Sequence, residues 1–277
     1  LLNLDEDFKI YWNNFPIAKL SPGKDYLKPN IDLIIDDMID GNDKSDFSKF
    51  LQNWINTKIN YELKSLMDLK NINTKNSSIR ALAYQLYENN GVILRENAKD
   101  FIKKLDQDQR KILRSLGVKF GRYHIFLFKL FKPSAVSLRI ALWKNFHQKY
   151  FNLKPPTFGL NFLKDTKQYP RDFMLLCGFE KFDNFFVRID ILERLFIKII
   201  DLKNEKEIKL IPDMLNLLGC NKDDFLKLIK KMNYYSYEKN QEVYFKYAPL
   251  KNVKKQFSSK ILKKENPFSV LKNINFK

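Results

Sequence analysis

The sequence predicts a mainly α fold with small β elements, and three observations predict it. Apolar residues recur every three or four positions over 47–63, as on one face of a helix. A second helical pattern follows Pro133, a residue that suits the first turn of a helix. Residues 187–247 alternate helical patterns with short strand patterns. We therefore expect multi-helix units and one module with a β-hairpin.

The N-terminal unit is predicted to span residues 1–70. Alternating apolar residues over 8–20 surround Asn13-Asn14, which predicts a hairpin, and Pro16 favours an edge strand. Residues 21–24 read as a turn. A helix is predicted over 46–66, and its apolar stripe packs a core.

The central unit is predicted to span residues 76–170, after a polar linker. Helices are expected over 79–88, capped by Ser77 or Ser78, and over 96–115. An apolar, aromatic run at 123–131 forms the core and precedes the helix at Pro133. Residues 152–170 are expected to be extended or loop-like.

Residues 171–250 are predicted to form a third unit. Helices are expected over 187–200, from Pro212 to Leu218, and over 223–232 behind an Asn221 cap. A short strand precedes the second helix, and two alternating runs close the unit as a hairpin. This is the order of a winged helix, so we expect a winged-helix-like module, followed by a basic tail over 251–277.

Charge is distributed unevenly along the chain. The net charge is +18, yet residues 1–50 carry six Lys and ten acids, a net of −4. Residues 101–150 carry twelve Lys or Arg against two Asp. Such asymmetry is typical of polyanion binding. The alternative is compositional, because 41 Lys against nine Arg also indicates a general bias toward Lys.

Motifs of enzymatic chemistry are absent from the sequence. Gly23-Lys24 is followed by Asp25 and lacks the spacing of a phosphate-binding loop. His124 and His147 have no partner at metal-ligand spacing, and we expect His124 to be a core or rim residue. We therefore predict no catalytic residue and no metal site in this chain.

Compartment and membrane behaviour follow from the cysteines and the hydropathy. Cys177 and Cys220 are far apart in apolar surroundings, which favours a reduced, cytoplasmic location over a disulfide framework. No apolar run approaches the length of a membrane span, so no membrane partner is expected.

The segment LGVKFGRYHIFLFKLFKP, residues 116–133, resembles a block in the C-terminal region of superfamily-2 ATP-dependent helicases related to the RNA-degradosome helicases. In that family the block reads roughly LG-V-[KR]-F-G-x-[YH]-H, a short apolar run, then LLKP. Residues 77–91, 187–196 and 211–226, and the ending ENPFSVL, are also similar to family segments.

The resemblance implies an accessory, non-motor region that binds the nucleic-acid backbone and braces helicase motor domains. Because the chain begins with Leu1, we expect those domains, with their ATP and Mg, to lie N-terminal to it. The expected partners are single-stranded RNA or DNA, these motor domains and a degradosome-type protein. A stand-alone winged-helix DNA-binding regulator and a protein-interaction scaffold stay open as alternatives.

The candidate nucleic-acid contacts are basic or aromatic side chains in two places. In the central block, arginine pairs with phosphate bidentately and an aromatic ring can stack on a base. In the third helix of the winged-helix-like module, lysines are expected to face outward, and either nucleic-acid contact or bracing stays open for them. The candidates are Lys119, Arg122, Tyr123, Lys129, Lys132, Arg139, Lys227, Lys230 and Lys231.

Overall fold

The structure is a computed structural model that describes residues 1–5, 7–35, 40–202 and 207–248. It is 46% helix and 25% strand, with four small antiparallel sheets. The expected mainly α fold is therefore wrong, and the fold is mixed α/β. The predicted basic tail lies outside the described residues.

The first sheet is a four-stranded meander in the order β1-β2-β3-β4. Its strands are β1 (Leu2–Leu4), β2 (Lys9–Trp12), β3 (Phe15–Asp25) and β4 (Lys28–Leu33). The predicted hairpin is confirmed, since Asn13 and Asn14 both have the positive φ that a two-residue hairpin turn needs.

Two local predictions in this sheet are wrong. Strand β3 lies between β2 and β4, so Pro16 is not on an edge strand. Its missing N–H is tolerated because the register shifts beside it, at the bulge between Ile10 and Tyr11. Residues 21–24 are not a turn but part of β3, with a second register shift between Ser21 and Asp25.

The helix that follows packs on this sheet, and the next one continues its core. The predicted helix 46–66 is observed as two helices, α1 (Gly41–Glu62) and α2 (Lys64–Lys70). Leu51, Ile55 and Ile59 are buried on one face of α1. One core contains buried apolar residues that range from Phe8 to Leu142, and it joins residues on both sides of the predicted linker.

The rest of the described chain contains three successive units of similar topology. The first unit contains α3 (Ser77–Glu88), β5 (Val92–Leu94), α4 (Lys99–Lys103), α5 (Gln107–Ser115), β6 (Val118–Phe120) and β7 (His124–Leu127). The second contains α6 (Pro133–His147), β8 (Phe162–Lys164), α7 (Arg171–Leu176), β9 (Phe179–Phe182) and β10 (Phe185–Arg188). The third contains α8 (Ile189–Asp201), β11 (Ile208–Lys209), α9 (Pro212–Leu218), α10 (Lys222–Lys231), β12 (Tyr234–Lys239) and β13 (Glu242–Tyr247).

The three units share their strand order. In each one the first strand pairs with the last, and the last pairs back with the middle one, all antiparallel. The element order predicted for residues 187–247 is therefore observed, and the first unit repeats it. Only the second unit differs, because it has one helix rather than two between its first and second strands.

The same backbone conformation joins the last helix to the hairpin in every unit. The residues that immediately precede β6, β9 and β12 are Gly117, Gly178 and Asn233, with φ of 94°, 85° and 64°. Each donates its N–H to the carbonyl three residues earlier, at 2.9, 3.0 and 3.2 Å. Gly and Asn are the residues that tolerate this left-handed conformation, which ends the helix and redirects the chain into a strand.

The first unit departs from the sequence prediction in its helices. The expected helix over 96–115 is two helices, because the Asp106 side chain accepts from Gln109 N–H at 2.8 Å and starts α5 anew. Strand β5 was not predicted. The cap of α3 is Asn76 rather than a serine, since its Oδ1 accepts from Ile79 N–H at 3.0 Å.

A buried cation joins the first two units. Arg139 of α6 has no exposed surface and donates to the carbonyls of Asn90, Leu130 and Leu176, at 2.9, 2.6 and 2.8 Å. These carbonyls lie just past the end of α3, in the 3-10 helix Phe128–Phe131 and at the last residue of α7. Burial lowers the pKa of Arg139 to about 10, so it stays charged at neutral pH.

Within the described residues, no helix combines the length and the apolar character that crossing a bilayer requires.

We expect Arg139→Met to lower the free energy of unfolding by roughly 3–5 kcal/mol, because three buried carbonyls lose their donor. Urea denaturation measures the change. Lys132→Met is the control, since Lys132 is exposed and should change stability by about 0.5 kcal/mol or less. A loss below about 1 kcal/mol for Arg139→Met would show that these bonds stabilise little.

Candidate nucleic-acid interface

The turn between β6 and β7 is held by a carboxylate from the third unit. Glu193 of α8 accepts the backbone N–H groups of Arg122, Tyr123 and His124, the last two at 2.9 and 2.7 Å. A Cβ on Gly121 would lie 2.4 Å from the Glu193 carboxyl carbon, so any other residue at this position would force the carboxylate to move. Glu193 therefore fixes the backbone of this turn, and the Arg122 side chain is exposed.

His124 lies in a buried chain of charged groups beneath this turn. Its Nδ1 is 3.1 Å from Glu193 Oε1, and its Nε2 is 3.0 Å from Glu180 Oε2. Glu180 also accepts two hydrogen bonds from Arg171, at 2.9 and 3.0 Å. The network connects one residue of the first unit with two of the second and one of the third.

The two acidic neighbours determine the protonation of His124. Burial alone would lower the pKa of His124, but its hydrogen bonds to Glu180 and Glu193 outweigh burial and raise it. Burial alone would raise the pKa of Glu180, but His124 and Arg171 lower it. The arrangement therefore favours an imidazolium between two carboxylates, as a structural network rather than a stacking or ligand site.

The predicted cations of the central block divide into two places. Lys119 and Arg122 are exposed on β6 and on the turn that follows it, whereas Lys129 and Lys132 are exposed beyond the far end of β7. The four residues of β7 separate the two pairs by about 13 Å.

Two residues of the central block are poorly placed for the nucleic-acid contacts that the sequence predicted. Arg139 is fully buried, so its predicted phosphate contact is wrong: a guanidinium that holds three internal carbonyls cannot reach a strand. The ring of Tyr123 packs edge-on against Phe196 at 4.6 Å, and its hydroxyl reaches the Met232 carbonyl at 3.5 Å. This packing disfavours a stacking role for Tyr123, which stays a prediction.

The lysines of α10 are exposed, but carboxylates lie close to several of them. Lys231 is 2.8 Å from Asp183, and Lys227 is 3.6 Å from Asp224. Lys222, at the start of the helix, is 3.0 Å from Glu238. Lys230 is exposed as well. The positive potential of this helix is therefore partly neutralised within the chain.

Four exposed cations of the first unit were not singled out from the sequence, namely Lys103, Lys104, Lys111 and Arg114. With Lys119 and Arg122 they occupy the end of α4, α5, β6 and the β6–β7 turn, and we call these six residues the first-unit basic surface. Among the described residues, none of the six forms an ion pair with a carboxylate. The capping box at Asp106 was the sequence signal that marks α5 as a separate helix.

Further arginine contacts bind these elements together. Arg95 donates to the Gly121 carbonyl at 2.7 Å, Arg110 donates to the Ile102 carbonyl at 3.0 Å, and Arg114 lies 5.7 Å above the Phe120 ring. Burial, followed by repulsion from Arg110 and Arg122, lowers the pKa of Arg95. Several guanidinium groups therefore lie close together at this surface, an arrangement that a phosphate anion would stabilise.

The described residues contain no group of three or more His, Cys, Asp or Glu side chains placed to hold a metal ion. No protein-family model, curated protein or solved structure matches the chain.

The buried network predicts a specific pH dependence of stability. The folded-state pKa of His124 is raised, so the imidazolium stabilises fully below its ordinary value of 6.5, and this stabilisation is lost as pH rises through the raised value. The folded-state pKa of Glu180 is lowered, so its contribution is complete above 4.5 and is lost as pH falls through the lowered value. The network should stabilise most between these two ordinary values.

We therefore expect the free energy of unfolding to fall as pH rises from about 6 to about 9, and this decline to be absent in His124→Gln. Urea denaturation across this range measures both proteins. His147→Gln is the matched control, because it removes the only other histidine and should keep the decline. Equal slopes in the wild type and in His124→Gln would contradict this role of His124.

Proposed function

We propose that the chain is an accessory region of an ATP-dependent helicase, and that it binds the nucleic-acid backbone while bracing the motor domains. The observation that carries the proposal is the first-unit basic surface, whose six cations have no carboxylate partner among the described residues. Unpaired surface cations attract phosphates and release their counterions, a source of affinity that does not depend on sequence.

The helicase part of the proposal is supported by the family resemblance of residues 116–133. In the structure this segment runs from the end of α5 through β6 and β7 to the start of α6. It therefore includes part of the basic surface and the turn held by Glu193. ATP and Mg belong to the motor domains in this proposal, and the present chain supplies binding alone.

Bracing is supported by an exposed aromatic row on the N-terminal sheet and α1. Trp12, Phe15 and Phe50 are 50%, 74% and 54% exposed. Trp12 and Phe50 each stack on Phe47, with ring centroids 6.5 and 6.4 Å apart. Exposed apolar clusters of this kind typically contact another protein surface, and motor domains are the partner proposed here.

The proposal includes a winged-helix module, formed by the third unit. The third unit has the element order and strand pairing of that module, and α10 occupies the position that enters a groove in DNA-binding proteins of that topology. A cytoplasmic location is proposed with it, since Cys177 and Cys220 are both free thiols.

We expect salt-sensitive, sequence-tolerant binding to a single strand of about 20 nucleotides. If about six phosphates are neutralised, log affinity should fall against log salt with a slope of roughly −4. Fluorescence anisotropy with labelled RNA and DNA strands at several salt concentrations gives this slope. A flat response, or no binding, would refute the proposal.

The same titration distinguishes two pairs of cations. Lys119→Gln with Arg122→Gln should weaken binding roughly tenfold near 0.15 M salt, because two phosphate contacts are lost. Lys227→Gln with Lys231→Gln removes the same charge from residues that already have carboxylate neighbours, and should weaken it about twofold or less.

A further inference from the structure

The repeat of units places three helices in equivalent positions. Each is the last helix before a hairpin, namely α5, α7 and α10, and each is followed by a left-handed residue. In helix–turn–helix proteins the helix after the tight turn is the one that enters a DNA groove. Burial and charge can therefore decide which of the three is free to do so.

The second and third units are poorly suited to this role. Helix α7 has six residues, of which Phe173, Met174 and Leu176 are buried. Helix α10 is exposed on one face, but Lys227 and Lys231 have carboxylates at 3.6 and 2.8 Å. A phosphate at α10 would compete with these internal partners.

Helix α5 differs from α7 in its exposure, and from α10 in the pairing of its cations. Leu113 is the only one of its nine residues that is buried. Lys111 and Arg114 are exposed on the helix, Lys103 and Lys104 precede it at the end of α4, and Lys119 follows it on β6. None of these cations has a carboxylate partner among the described residues.

The dimensions of α5 fit a particular groove. An α-helix with side chains is about 10–12 Å across, and nine residues extend about 13 Å. The major groove of B-form DNA is about 12 Å wide and admits a helix, whereas the A-form RNA major groove is too narrow for side chains to read. Cations at both ends of the helix would then lie near phosphates that border the groove.

We infer that α5 is a duplex-binding helix that enters the major groove of B-form DNA, with the first-unit basic surface on the flanking phosphates. This inference rests on the proposed nucleic-acid binding and deepens it: it names double-stranded DNA, rather than a single strand, as the preferred ligand of this surface. It also assigns groove contact to the first unit rather than to α10.

The test uses the whole chain and three labelled probes: a DNA duplex of about 20 base pairs, its single strand, and an RNA duplex of the same sequence. The main variant is Lys111→Gln with Arg114→Gln. The matched control, Lys227→Gln with Lys231→Gln, removes the same charge from α10. Because Arg114 lies over Phe120, Lys104→Gln with Lys111→Gln serves as a second variant without that contact.

We expect the wild type to bind the DNA duplex at least tenfold more tightly than the RNA duplex. Each of the two double variants of the first-unit basic surface should lose roughly 30-fold in affinity for the DNA duplex near 0.15 M salt, since about two duplex phosphate contacts are lost. The α10 control should change this affinity about twofold or less. Unchanged circular dichroism and melting temperature verify that the variants are folded.

Three results would overturn the inference while leaving backbone binding intact. These are equal losses for the α5 and α10 variants, equal affinity for the DNA and RNA duplexes, and salt-dependent single-strand binding with no affinity for the duplex. Absence of binding to all three probes would instead remove the proposed function and this inference together.

Discussion

The packing of the first two units depends on one buried cation. The Arg139 guanidinium has no surface in water, and the carbonyls of Asn90, Leu130 and Leu176 take the place of a carboxylate partner. The carbonyls of Leu130 and Leu176 lie in the last turns of helical elements, where carbonyls carry partial negative charge and favour a cation. The planar fork of arginine suits this geometry, because it presents donors in several fixed directions at once.

A second buried group, the Glu193 carboxylate, determines which atoms at the surface can bind a ligand. Backbone N–H groups at a tight turn often bind anions, and the β6–β7 turn presents three of them. Here they are occupied by Glu193, whose carboxylate lies on the inner side of the turn. Any phosphate at this turn must therefore be bound by side chains such as Arg122 and Lys119, which keeps the interface dependent on charge and on salt.

The sequence predicted local structure better than long-range structure. The Asn13-Asn14 hairpin, the helix that begins at Pro133 and the Asn221 cap depend on neighbouring residues, and they are observed. The fold class was wrong because strands such as β5 and β8 have three residues each, too few to show a period of two. Short strands gain their stability from partners 30 or so residues away, which no local pattern records.

In the candidate site, too, local features were predicted from the sequence better than long-range contacts. Lys119 and Arg122 were identified from a basic turn, and they are exposed as expected. Arg139 has the same charge but is buried, and its three carbonyl partners lie 9 to 49 residues away in the chain. The partners of His124 are 56 and 69 residues away, so its buried network was equally hidden. Charge was readable from the sequence, whereas accessibility required the tertiary structure.

The repeated helix-to-hairpin junction has a consequence for how the chain reaches its native state. Each three-stranded sheet closes within one contiguous stretch of about 30 to 40 residues, so the chain loops that must form are short. Short loops cost little entropy, and topologies rich in near-neighbour pairings fold quickly. Closing each sheet therefore costs little chain entropy, whereas the contacts of Arg139 reach up to 49 residues along the chain.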